Sequence, residues 1–193
     1  MRYSQNNEED AVIDYFKCNC GTFLDIGAMG GDEYSNTRQL AEMGWSGVMV
    51  EPDARNFEHL AKAVSHLWNI VLIRAAVAAQ RGRAQLYIEK DRLYASTLSM
   101  ACVKKHDMQV IASPVVPVIE PDDLRLLGLP FDFISIDAEH MDMEIFQAGD
   151  KIFFGCKLIC VEKAGLDWPP VLAAKGFTKL ILDTPENLIY ARP

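Results

Sequence analysis

The stretch from Gly21 to Pro52, GTFLDIGAMGGDEYSNTRQLAEMGWSGVMVEP, constrains the fold more than any other. It reads as strand, glycine turn, helix, strand. Thr22 to Ile26 is a short apolar run broken by one acid, Asp25. Gly27-Ala28-Met29-Gly30-Gly31 follows, a turn in which several residues can take positive φ. Ser35 or Asn36 can cap a helix whose apolar positions include Leu40, Ala41 and Met43, and Gly44 ends it. Gly47 to Val50 is a second buried strand, with Glu51 at its carboxyl end.

That unit predicts a ligand. In an open parallel sheet, ligands bind beyond the carboxyl ends of the strands, at the switch point. Glycines such as Gly27 let a ligand approach the backbone. An acid at the end of the next strand accepts hydrogen bonds from two ribose hydroxyls, and Glu51, 24 positions after Gly27, suits that role. The dinucleotide pattern G-x-G-x-x-G fails at Met29 and Asp32. Asp32 and Glu33 at the helix start repel a pyrophosphate but suit the helix dipole and tolerate a cationic ligand. S-adenosylmethionine carries a sulfonium and an amine and no phosphate. The residues therefore favour it over a nicotinamide cofactor.

F-L-D-I-G-A-x-x-G, S-N-T, G-W-S-G-V-x-V-E-P and N-F-E-x-L together resemble the FkbM-type family of S-adenosylmethionine-dependent methyltransferases. I-D-A-E at Ile136 to Glu139, V-E at Val161-Glu162, G-F at Gly176-Phe177 and N-L-I-Y-A-R near the end agree, in order, over most of the chain. The resemblance implies an α/β class I methyltransferase fold, a Rossmann-like three-layer sandwich. Its sheet is seven-stranded and mostly parallel, with an antiparallel strand in the C-terminal hairpin. It implies cofactor contacts at Asp25, Gly27, Ala28, Gly31, Ser35, Glu51, Pro52, Ala76 and Asp137. It places adenine near Ala76, where tight strand-end packing is the competing reading. The family usually has glycine where this chain has His140 and glutamate where it has Asp142.

The bulk properties agree with one domain over residues 1–193. A net charge of −8 argues against a nucleic-acid surface. No apolar run reaches the roughly 18 residues of a membrane span. The polar, acidic start MRYSQNNEED is not a signal peptide. The five cysteines, among them Cys18 and Cys20 as C-x-C, lack a metal-ligand spacing and read as reduced, mostly buried thiols, so a cytoplasmic location is expected.

Elsewhere, residues 1–20 contribute an amphipathic helix at Glu8 to Phe16. Asp53 to Val64 is a helix, Ile70 to Ile73 a strand, and Ala84 to Glu89 an added edge strand or hairpin arm. Residues 91–113 are the least regular and read as a lid or substrate loop; Lys104, Lys105 and His106 form a basic island there. Val115 to Ile119 is a further strand, and a short helix from Pro121 ends at Gly128. Phe131 to Ile136 is the central fourth strand, Met141 to Ala148 a helix, and Lys157 to Val161 the fifth strand. A helix opens at Pro169-Pro170, and two strands close the chain at Phe177 to Leu182 and Asn187 to Arg192.

The fourth strand ends in Asp137-Ala138-Glu139-His140, three ionisable groups that packing does not explain. Asp137, Glu139 and His140 are the candidate catalytic residues. Asp137 can hold the cofactor amine or act as a base. Glu139 and His140 can bind substrate or deprotonate a hydroxyl. A divalent metal held by the three is a less favoured alternative, and His140 as a helix-start surface residue is another. Glu162 can serve the site or pair with Lys163. The reaction expected is direct displacement, with positioning supplying most of the acceleration. The resemblance implies O-methylation of a small-molecule or sugar hydroxyl. A protein that binds S-adenosylmethionine or a nucleoside without transferring methyl is the alternative. No nucleic-acid or membrane partner is expected. The acceptor site must come from residues 91–113, the N-terminal helix or a partner subunit, which leaves a homo-oligomer open.

Overall fold

A computed structural model describes residues 3–17, 20–90, 96–128 and 130–193. The organising unit folds as read: β1 (Thr22–Ile26), α2 (Arg38–Glu42) and β2 (Ser46–Val50), preceded by α1 (Glu8–Phe16) and followed by α3 (Ala54–Ala63) and β3 (Ile70–Ile73). Next come β4 (Ala76–Val77), β5 (Gly82–Gln85), β6 (Ile88–Glu89), α4 (Met100–Lys105), β7 (Val110–Ala112) and β8 (Val115–Ile119). The last part holds β9 (Phe133–Ile136), α5 (Asp142–Ala148), β10 (Leu158–Glu162), α6 (Trp168–Ala174), β11 (Lys179–Asp183) and β12 (Asn187–Ala191). A 3-10 helix at Pro121–Leu127 ends at Gly128, as its sequence predicts.

The main sheet has seven strands in the order β11-β12-β10-β9-β1-β2-β3. Neighbours are parallel except at β12, which runs antiparallel to both β10 and β11. This is the mostly parallel sheet with a reversed strand in the closing hairpin that the sequence implied. Both faces are covered, so the central strands read as continuous apolar runs. The period of two sorts them. Leu24, Val48, Val50, Ile134, Ile136, Ile159 and Val161 join Phe146, Phe153, Trp168 and Phe177 in one core layer. Phe23, Met49, Phe133, Leu158 and Cys160 join Val12, Leu40, Trp45 and Leu60 in the other. Asp25 is the one acid within the β1 run, and it is buried.

Val115–Ile119 forms a strand as read, whereas residues 82–113 depart from the reading. The Ala84–Glu89 run does not form one strand on the main sheet. It divides at Leu86-Tyr87, where Leu86 N donates to Pro114 O and Tyr87 pairs with Thr97. Before the break, β5 pairs antiparallel with β8; after it, β6 pairs with β7. β8 belongs to a separate three-stranded sheet, β4-β8-β5. Only one side of β8 is apolar-buried, through Val116 and Val118, while Val115 and Pro117 face out. β8 runs parallel to β4 and antiparallel to β5, and its half-exposed pattern suits a small outlying mixed sheet and not a doubly covered strand.

Cys20, Cys102, Cys156 and Cys160 are free thiols, the last three buried; Cys18 lies outside the described residues. Among the described residues no helix is long and apolar enough to cross a membrane.

Phe23 and Gly47 are register partners across β1 and β2. A β-carbon on Gly47 would lie 2.2 Å from the fully buried Phe23 ring. Gly47→Ala should therefore cost about 1–3 kcal/mol by overpacking. Chemical denaturation should show a smaller cost in a Phe23→Leu background. Equal costs in both backgrounds would mean that the ring does not lie over the glycine.

Candidate active site

The turn after β1 is pressed against the end of β9. Gly27 N and Ala28 N both donate to Val50 O, at 2.9 and 3.1 Å, and Asp137 N donates to Ile26 O at 2.9 Å. Gly27 sits at φ +85°, and a β-carbon there would fall 1.7 Å from the Asp137 carbonyl oxygen. No other residue fits without moving a strand end. Met29, also at positive φ, donates its N–H to Glu51 Oε2 at 3.0 Å. Glu51 Oε1 accepts from Asp53 N at 2.7 Å. One carboxylate thus closes the glycine turn and fixes the approach to α3. Gly31 packs beneath: its N–H donates to Ala28 O, and a β-carbon would meet Leu60 Cδ1 at 2.3 Å.

Above the strand ends lies a cavity of about 350 Å³. Asp25, Gly27, Ala28, Ser35, Glu51, Pro52, Ala76, Asp137 and Glu139, all expected at a site, line it. Gly31 and His140 do not. The N-cap of α2 is Thr37, not Ser35 or Asn36 as the sequence suggested, although Ser35 Oγ accepts from Arg38 N at 3.1 Å. Asn36 instead reaches across the cleft, with Nδ2 3.3 Å from Ser135 Oγ and 3.7 Å from Cys160 Sγ. The N-terminal region borders the cavity through Gln5, and α1 is tied to β12 by Asn187 Nδ2 donating to Glu8 Oε1 at 2.9 Å. Residues 91–95 of the lid reading lie outside the described residues. Ser96 and Leu98 line the cavity, and Ser96 Oγ donates to Asp53 Oδ2 at 3.0 Å.

The electrostatics are one-sided. Burial pushes Asp25 up to about 6, against the lowering effect of the Thr37 hydroxyl that donates to it at 2.5 Å. Burial pushes Glu51 up to about 7; the Asp53 and Met29 amides pull down, and the charges of Asp53 and Asp25 push up. Asp137 is raised well above the carboxylate range by burial first and then by Glu162, Asp142, Asp25 and Glu51. Carboxylate oxygens of Asp137, Asp142 and Glu162 lie within 4.8 Å of one another. Asp142 Oδ1 accepts from Ala138 N at 2.8 Å, while Asp142 Oδ2 and Glu162 Oε2 are buried with no hydrogen-bond partner. Burial, Asp142 and Glu139 push Glu162 up to about 8. Such a cluster retains protons that a cationic group can displace. Lys163 does not neutralise it; its ammonium pairs with Asp183. Asp142 and Glu162 thus join Asp137, a grouping the sequence placed near the site for Glu162 alone. Tyr34, Asn36, Ser135 and Asn187 also line the cavity; S-N-T and the closing N-L-I-Y-A-R carried part of that signal.

His140 turns away from this cluster. Its Nε2 lies 3.1 Å from His106 Nε2, with the rings stacked at 5.0 Å between centroids. Partial burial, then the charges of His106 and Lys105, hold its pKa below the usual histidine value. Asp137, Glu139 and His140 do not converge as a metal-binding group among the described residues.

A family model for the methyltransferase FkbM domain matches residues 25–172. The chain belongs to the FkbM methyltransferase family. Solved structures share the class I methyltransferase fold of this FkbM-family chain at low identity. Precorrin 8w decarboxylase from Methanobacterium thermoautotrophicum aligns with a TM-score of 0.55 and 12% identity over 100% of this chain and 93% of that one. Precorrin-6y C5,15-methyltransferase from Geobacter metallireducens GS-15 gives 0.53 and 12% over 97% and 92%. Aeropyrum pernix fibrillarin, in complex with natively bound S-adenosyl-L-methionine, gives 0.50 and 12% over 89% and 66%. No curated protein matches the sequence.

Glu51 has a pKa near 7 in the folded chain against an ordinary 4.5, so the native state binds the extra proton between those values. Its contribution to stability is fully present below about pH 4.5 and is lost as pH rises through about 7. The ligand-free melting temperature should therefore fall over that interval. Glu51→Gln should flatten the fall by an amount on the order of 3 kcal/mol across the full range. Parallel pH profiles for the two proteins would contradict the raised pKa.

Proposed function

We propose that the chain transfers the methyl group of S-adenosylmethionine to a hydroxyl of a small molecule or sugar. One observation carries the reading. Glu51, the proposed sugar-binding residue, lines one cavity with Asp137, Glu139 and Glu162. A nucleoside grip and a proton acceptor thus share one space.

The residues suit such a cofactor. Each Glu51 oxygen accepts one backbone amide and keeps lone pairs for a ribose hydroxyl. Ala75, Ala76 and Val77 offer a wall of small side chains to a flat ring. Asp25 and Asp137 supply negative charge for the amine and sulfonium, and among the described residues no lysine or arginine lines the cavity to repel them. Fibrillarin, a fold neighbour, holds S-adenosyl-L-methionine, which agrees with the cofactor class. When bound, S-adenosylmethionine supplies a methyl that is already electrophilic, so a covalent enzyme intermediate is unnecessary. The chain's own part is to orient the acceptor, exclude water and take the hydroxyl proton. Asp137, at the end of the central strand β9, is the proposed base, with Glu139 and Glu162 beside it.

The test uses labelled S-adenosylmethionine with a panel of hydroxyl, carboxyl and amine acceptors. Transfer to a hydroxyl acceptor is expected. Glu51→Gln should weaken S-adenosylhomocysteine binding by calorimetry, by about 1–3 kcal/mol for sugar hydroxyls left poorly paired. Asp137→Asn should lower turnover by roughly 10²–10⁴-fold, the usual weight of a general base, with a smaller change in cofactor affinity. Unchanged affinity in Glu51→Gln would remove the ribose assignment. Transfer confined to amines would remove the hydroxyl one.

A further inference from the structure

We infer that Cys102, His106 and His140 form a zinc-binding site that pins α4 against the loop after β9. One ligand atom from each residue, a thiol sulfur and two imidazole nitrogens, lies within 4.8 Å of the others. A thiolate with two imidazoles suits Zn²⁺, and three protein ligands leave one tetrahedral position open. Zinc binding at this site displaces the Cys102 thiol proton to solvent and forms a sulfur–zinc bond.

The surrounding chain holds these side chains in place. Cys102 and His106 are four residues apart at the end of α4, so they share a face; His106 N donates to Cys102 O at 3.0 Å. Ser99 caps α4, accepting from Cys102 N at 3.1 Å. Ser99 N donates to Thr97 Oγ1 at 3.0 Å, and Thr97 Oγ1 donates to Glu139 O at 2.8 Å. A continuous hydrogen-bonded path therefore runs from Cys102 to the residue before His140. Backbone strain points to the same place. Glu139 and His140 both adopt left-handed conformations, at φ +49° and +73°. Two consecutive non-glycine residues there are costly, and such strain clusters at functional sites. Here the backbone turns the imidazole of His140 away from the carboxylates and onto His106. His106 is exposed, which gives an ion a path in, while Cys102 is buried. His59 and His66 already pair with Asp32 and Glu42.

Metal-free full-length protein would be titrated with Zn²⁺ by calorimetry and with Co²⁺ by absorption spectroscopy. One ion per chain is expected, with cobalt giving tetrahedral d–d bands and a thiolate charge-transfer band. Cys102→Ser should abolish the charge-transfer band. His106→Ala, a change at an exposed position, should weaken zinc binding by more than the roughly 10–100-fold that loss of an outer-sphere partner costs. Cys20→Ser and His66→Ala should leave both readouts unchanged. Zinc should also slow amide exchange over residues 100–106 and 139–141. The site is overturned if no thiolate–cobalt band appears, or if the band survives Cys102→Ser. Binding that leaves exchange in those segments unchanged overturns the pinning role. None of these measurements depends on methyl transfer.

Discussion

The contact between Gly27 and the Asp137 carbonyl sets the rest of the site. Two neighbouring parallel strands, β1 and β9, end with their backbones closer than any side chain allows. That approach brings the glycine turn and the acidic end of β9 to one rim. Glu51 then fixes the third side, because its carboxylate accepts from the turn and from the start of α3 at once. The seven-stranded order makes this geometry available, since β1 lies between β9 and β2. Strand order supplies the crevice, and glycine lets the turn close onto it.

Charge decides what the crevice can hold. Asp25, Glu51, Asp137, Asp142 and Glu162 are all raised, and burial is the first cause for each. Repulsion from neighbouring carboxylates adds to that cost at Glu51, Asp137 and Glu162. An anionic phosphate would add more negative charge to the cluster; a sulfonium and an amine would relieve it. Two buried carboxylate oxygens without partners, Asp142 Oδ2 and Glu162 Oε2, mark where relief is most needed. Desolvation and repulsion therefore favour a cationic nucleoside over a dinucleotide, as the failed glycine pattern at Met29 and Asp32 does from sequence.

The main sheet was legible because its signals are local. The apolar runs at Thr22–Ile26 and Ile70–Ile73 reach both of the ends that the sequence marks, and Gly44, Gly128 and Gly149 stop helical segments where expected. Glu51 was legible because strand ends follow from the runs that precede them. The pairing of residues 82–113 was not, although the strand Val115–Ile119 was. Which partner β5 or β6 takes depends on β8 and β7, whose paired residues lie 30–36 and 21–24 positions downstream, and short half-exposed strands carry little pattern of their own. His140 was misleading for a related reason. Glu139 precedes it and Asp137 lies three residues earlier, so the sequence groups it with them. Its orientation depends on a positive φ and on His106, which no local pattern reports.

His140 and Asp142 therefore serve different centres although one residue separates them. The left-handed pair Glu139-His140 reverses the chain after β9. Asp142, at the start of α5, then turns back to accept from Ala138 N. Within six residues the backbone sends Asp137 and Asp142 toward Glu162 and sends His140 toward Cys102 and His106. Glu139 lies between the two groups, lining the cavity and with its carbonyl held by Thr97. Any ion that fixes His140 would stiffen the peptide carrying Glu139. It would do so without entering the carboxylate cluster, because the proposed ligands are a thiol and imidazoles and the cluster holds only oxygens. The proposed zinc site and the proposed methyl-transfer site can then be coupled through backbone position alone, with the metal remote from the reacting atoms.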